Sequence, residues 1–128
     1  MENISGFQIG DIVCPTNQPG HKMTVVGVQY IPEDVLAGGY YCLSFDACGC
    51  PLEQVYTTRQ LWLMTAYDSR DIQLAMMDRV KLMHQEVDQK PVLSILQIRE
   101  QTHAECRWQD CFNRVHQRLL PLMAIRPV

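Results

Sequence analysis

The chain reads as a mainly all-β protein built from two tandem small SH3-like barrels, and three observations lead there. The sequence repeats itself, its apolar runs are short and rich in β-branched residues, and turn residues separate the runs. Phe7-Gln8-Ile9-Gly10-Asp11-Ile12-Val13 lies over Leu74-Ala75-Met76-Met77-Asp78-Arg79-Val80 without a gap. After one inserted residue, Lys22-Met23-Thr24-Val25-Val26-Gly27-Val28-Gln29 meets Lys90-Pro91-Val92-Leu93-Ser94-Ile95-Leu96-Gln97. Cys42 and Asp46 share the spacing of Cys106 and Asp110, Val55 meets Val115, and Leu61-Trp62-Leu63-Met64 meets Leu120-Pro121-Leu122-Met123. The length differences fall between the apolar runs, where loops tolerate insertion and strands do not. A diverged duplication leaves this trace. It pairs Asp11 with Asp78, Val25 with Leu93 and Cys42 with Cys106.

Each element has its own local reason. Thr24-Val25-Val26-Gly27-Val28 and Val92-Leu93-Ser94-Ile95-Leu96 are β-rich and too short for helices. Thr16-Asn17-Gln18-Pro19-Gly20 carries turn chemistry, since Pro presets φ and Gly admits positive φ. Gly38-Gly39 and Cys48-Gly49-Cys50-Pro51 punctuate the next two connections. Four or five strands in each half make a closed small barrel, which hides most sheet edges. A barrel of about 60 residues buries only about 60% of its unfolded surface, so the two halves are expected to pack together. The expected limits are residues 1–66 for the first barrel, 67–73 for a linker with room for one helical turn, and 74–128 for the second. One competing reading exists: Ile72, Met76, Val80, Met83 and Val87 fall at helical spacing, which would suit a helix over residues 69–88. The repeat instead gives residues 74–83 to a strand, and that reading is preferred.

Gly10-Asp11-Ile12-Val13 followed by Lys22-Met23-Thr24-Val25-Val26-Gly27 resembles the opening of the YodC-like proteins, and Glu105-Cys106-Arg107-Trp108-Gln109-Asp110 is similar to that family's Cys-x-Trp strand. The likeness covers most of residues 7–66 and 74–123, each half keeping a different part of the pattern. Ser44 stands where the first half would carry the family's Trp, and Pro91 and Val92 replace Met and Thr in the second. The resemblance implies small bacterial proteins with an SH3-like barrel, and it brings no established activity with it.

Composition excludes several classes. With 11 Lys and Arg against 14 Asp and Glu, the formal charge is −3, whereas duplex-coating proteins carry a basic excess to neutralise phosphates. No apolar run approaches the ~20 residues that span a bilayer, and the N-terminal segment lacks signal-peptide character. A cytoplasmic setting follows as an expectation. The six cysteines are accordingly expected to be reduced and free of metal. Zinc is the sharpest chemical alternative: Cys42, Cys48 and Cys50 with Cys14 or His21, or His103, Cys106, Cys111 and His116. Neither set has the spacing of a zinc knuckle, so no metal and no cofactor is expected. Cys106 with His103 or His116 is a formal nucleophile pair, but no catalytic, nucleotide-binding or zincin motif supports an enzyme.

The halves differ in a way that points to binding. Residues 1–66 carry two basic and six acidic residues, residues 67–128 nine and eight, and eight of ten aromatics lie at or before Tyr67. Tyr30, Glu33, Asp34, Tyr40 and Tyr41 are concentrated in one connection longer than its counterpart. Aromatics beside carboxylates suit a basic or Pro-rich peptide, although tyrosines also cover barrel seams. The expectation is a non-enzymatic adaptor or regulator that grips a protein partner through these five residues. The alternative is RNA or DNA binding through Arg99, Arg107, Arg114, Arg118 and Arg126.

Overall fold

A computed structural model describes residues 6–29, 38–68 and 73–128. The first half holds strands β1 (Ile12–Pro15), β2 (Met23–Gln29), β3 (Gly39–Phe45), β4 (Pro51–Tyr56) and β5 (Leu61–Thr65). The second holds β6 (Arg79–Leu82), β7 (Leu93–Arg99), β8 (His103–Gln109), β9 (Val115–Pro121) and β10 (Ile125–Pro127). They form two antiparallel sheets, ordered β4-β3-β2-β1-β5 and β10-β6-β7-β8-β9. In both, the last strand returns beside the first, after one 3-10 turn at Thr58–Gln60 or Leu122–Ala124. Two tandem SH3-like barrels result, and among the described residues there is no α-helix.

The duplication extends to individual hydrogen bonds. Asp11 accepts from Gln8 N–H and Asp78 from Ala75 N–H, each at 2.8 Å. Gly10 N–H reaches the Val25 carbonyl and Met77 N–H that of Ile95, at 2.9 and 2.8 Å. β2 and β7 are irregular at the same place, between Val25 and Gly27 and between Ile95 and Gln97. Gly49 and Asn113 occupy one left-handed turn position, where glycine and asparagine carry the smallest steric penalty. Asp11 with Asp78 and Cys42 with Cys106 are equivalent, as the sequence indicates.

The third pairing needs correction. Val13 opposes Met23 and Val80 opposes Leu93, so Val25 corresponds to Ile95, not to Leu93. The last block also moves: Pro15 opposes Leu61 and Leu82 opposes Ile125, so Leu61 corresponds to Ile125. The helix over 69–88 is excluded where it can be judged. Arg79–Leu82 is strand β6, Val80 is fully buried, and Met76 and Val87 are exposed rather than on its face. Residues 69–72, where a helical turn is expected, lie outside the described residues.

Each barrel has its own inward face, yet the cores are unequal. Val13, Met23, Val25, Tyr40, Cys42 and Leu61 fill the first. Val80, Leu82, Leu93, Ile95, Ala104, Cys106, Trp108, Leu120 and Ile125 fill the second, and Leu43 of the first barrel belongs to this cluster. Alternation along β3 explains it: Tyr40 and Cys42 point into their own barrel, so Leu43 points the other way. Val26 and Phe45 pack beside Leu43 against the second core. The outer face of β2 and β3 thus plugs the second barrel. No helix among the described residues is long and apolar enough to cross a membrane.

Candidate functional site at the barrel seam

Two equivalent aspartates organise the turns that meet at the seam. Asp46 Oδ1 accepts from the N–H groups of Cys48 and Cys50, both at 2.9 Å. Asp110 Oδ1 accepts from those of Phe112 and Arg114, at 2.8 and 3.0 Å. The Asp110 carboxylate, buried at the seam, also takes Arg114 Nε at 2.8 Å and His116 Nε2 at 3.0 Å, and Cys50 Sγ approaches it at 3.6 Å. Burial opposes its charge, but the bonds from His116, the Arg114 and Phe112 N–H groups and the guanidinium outweigh this. They hold the carboxyl well below the usual carboxylate range. The Cys50 thiol is pushed up by burial first, then by Asp46 and Asp110, against the pull of Arg114.

Trp108 joins the turns. Its indole N–H donates to the Gly49 carbonyl at 2.8 Å, its ring meets Phe45 edge-on, and it stacks on His116. Beside it Cys48 and Cys111 form a disulfide across the seam, with Cα atoms 4.9 Å apart. This corrects the expectation of six free thiols: reading each half separately hides that two turns face each other. Cys14, Cys42, Cys50 and Cys106 remain free. Burial raises the thiols of Cys42 and Cys106 to about 12, as suits core residues.

The candidate ligand sets are therefore dealt out differently from the sequence grouping. Cys14, Cys42 and Cys106 are core, whereas Cys48, Cys50, Cys111 and His116 meet at the seam, two from each barrel. A cleft of about 520 Å³ opens further along, lined among others by His21, Lys22, Ser44, Asp46, His84 and Glu86.

The expected partner surface fares unevenly. Tyr30, Glu33 and Asp34 lie outside the described residues. Tyr40 is core, 2% exposed, with its ring edge-on to Phe7 at 5.2 Å, so it cannot serve as a docking ring. Tyr41 is half-buried on the opposite face of β3, over Gly27. Four of the five arginines are engaged internally: Arg99 with Glu105, Arg114 with Asp110, Arg118 with Glu53, and Arg126 with the Gln85 carbonyl.

Sequence reasoning saw the apolar run of strand β5 but missed its exposure. The strand forms the outer edge of its sheet and exposes Trp62, Leu63 and Met64 at 54, 48 and 45%. At the equivalent edge, β10 carries Arg126 and Pro127. Charge and proline blunt an edge against pairing, and β5 has neither over Leu61–Thr65. The signal was present as an uncharged run, masked by a mistaken alignment with Leu120–Met123.

The fold and seam define a class, fused double SH3-like barrels. No protein-family model, no curated protein and no solved structure matches the chain.

Proposed function

We propose that the chain is a diverged tandem form of the YodC-like barrel and works as a non-enzymatic adaptor, with the first barrel as its protein-binding half. The observation that carries this reading is the open apolar edge of β5. Trp62 and Met64 lie on one side of that strand and Leu63 on the other, so an extended partner segment can add main-chain hydrogen bonds and cover the ring. Truncating anchor aromatics of this kind commonly costs about 2 kcal/mol or more of binding energy. A bacterial, cytoplasmic setting is part of the proposal, and there Cys48 and Cys111 would be held as thiols.

The test compares immobilised wild-type chain with W62E/M64K and with a Val87→Ser surface control in native lysate. Support is a partner retained by wild type and control and lost by W62E/M64K, with unchanged circular dichroism for all three. Equal capture by all three, or no specific capture, overturns the reading. So does a wild-type dimer that W62E/M64K abolishes when no other partner is found, because the edge would then pair with itself.

A further inference from the structure

We propose that the reduced protein binds one zinc ion between its barrels through Cys48, Cys50, Cys111 and His116. The site stands independently of the adaptor reading. The donor atoms of Cys50, Asp110 and His116 lie within 4.8 Å of one another, as do those of Asp46, Cys48 and Cys50. The two groups share Cys50, and Cys111 joins them only through its bond to Cys48, so a four-ligand site needs the Cys111 and His116 donors to close up on those of Cys48 and Cys50. Four tetrahedral ligands with Zn–S near 2.3 Å sit about 3.8 Å apart, a contraction that two facing turns can make. Three thiolates and one imidazole form a donor set that suits zinc over the harder magnesium or calcium. The surroundings are already arranged. The Asp46 carboxylate holds the Cys48 and Cys50 N–H groups in one tight turn, and Asp110 does the same for the turn that follows Cys111. Such outer carboxylates orient ligands and tune a metal site.

Disulfide and metal exclude each other. A dithiol breaks the Cys48–Cys111 bond by supplying two electrons and two protons, and itself closes to a disulfide. Zn(II) then displaces three thiol protons, forming three Zn–S bonds and one Zn–N bond to neutral imidazole, with no change in metal oxidation state. His116 Nε2 leaves Asp110, which keeps Arg114 and the two turn N–H groups. Either state ties the same two turns together. Cys111 is exposed, so a reductant can reach the bond.

The experiment uses the full chain reduced with a phosphine, with Co(II) and Zn(II) as probes. One equivalent of Co(II) is expected to give thiolate charge transfer and the visible bands of a tetrahedral ion, both bleached by Zn(II). C50S and H116Q should each weaken Zn(II) by at least about tenfold. In wild type, Zn(II) should shield Cys48, Cys50 and Cys111 from alkylation, mapped by mass spectrometry, and protein re-oxidised to the disulfide should give no tetrahedral spectrum. The proposal is overturned if reduced wild type gives no thiolate–Co(II) spectrum. Folded C50S and H116Q that bind like wild type also overturn it. Where a variant does not fold, wild-type alkylation decides: those three thiols shielded supports the site, and those three unshielded refutes it.

Discussion

His84, partly buried at the seam with its ring nitrogen 2.8 Å from the Thr24 hydroxyl, has its pKa pushed from 6.5 down to about 4. Desolvation is the main cause, followed by the positive charges of His21, Arg126 and Lys22. The unfolded chain takes up this proton as pH falls through 6.5, and the folded chain only near 4. Stability is therefore full above pH 6.5 and drains away between there and pH 4. His84→Gln keeps a polar group for Thr24 and removes the titration. Urea melts at pH 7 and pH 5 should differ less in the variant than in wild type, by on the order of 1–2 kcal/mol. Residue roles were legible where equivalence helped. Cys42 and Cys106 occupy matching strand positions, and both proved to be core. Tyr40 was misread because it was placed with Tyr41 in a connection, whereas both lie on β3, and Gly38-Gly39-Tyr40-Tyr41 does not say which tyrosine faces inward. The parity of Cys42 settles it: a buried Cys42 turns Tyr40 inward and Tyr41 outward.

Strands and turns show what a hydrophobic pattern can and cannot resolve. An even shift leaves every side chain on its own face, so the slip that set Val25 against Leu93 rather than Ile95 cost nothing in apparent match. Only the hydrogen bonds of β1 to β2 and of β6 to β7 expose it. Tyr41 opposes Val55 and Glu105 opposes Leu119, so Val55 corresponds to Leu119 and not to Val115. That match failed because Leu52 to Val55 are exposed and no inward pattern anchors it. Aspartate turns were more durable signals, because a carboxylate that caps N–H groups has few substitutes. Asp11 accepts from Gln8 N–H and also from Tyr67 N–H at 2.7 Å, tying the first barrel's entry to its exit. Asp11→Ala should cost about 1–3 kcal/mol, since it leaves two backbone donors without their acceptor. The corresponding Asp78→Ala should cost less, its bond to Ala75 being exposed. Chemical denaturation of the two variants side by side checks the order.

At the scale of the molecule, the sequence disclosed two barrels and the expectation that they pack together, but not that Leu43 of the first enters the core of the second. Leu43 was unremarkable as one more apolar strand residue, and the seam cysteines were sorted by half because chain distance was the only distance available. The shared core implies that the barrels unfold together. Leu43→Ala should lower stability by about 2–5 kcal/mol, the range for emptying a buried leucine site. It should do so in one transition, with fluorescence and far-ultraviolet circular dichroism superimposing. Two separated transitions in wild-type protein would show instead that the halves fold independently.

The plug of Leu43 and Phe45 has a consequence for assembly, because it is a head-to-tail contact, and unless the rotation closes a ring such contacts continue without end. If the second barrel offered the same face, each molecule could seat another and a filament would grow. The residues opposite Ser94 and Thr24 locate the matching positions: Arg107 stands where the first barrel has Leu43, and Gln109 where it has Phe45. Both are exposed, so the series stops at two. R107L/Q109F should restore the missing knob, and its sedimentation should shift to larger species with rising concentration while wild type stays unchanged. A double variant that folds and sediments as wild type would mean that the second face lacks the shape, and not merely the chemistry, to continue the chain of barrels.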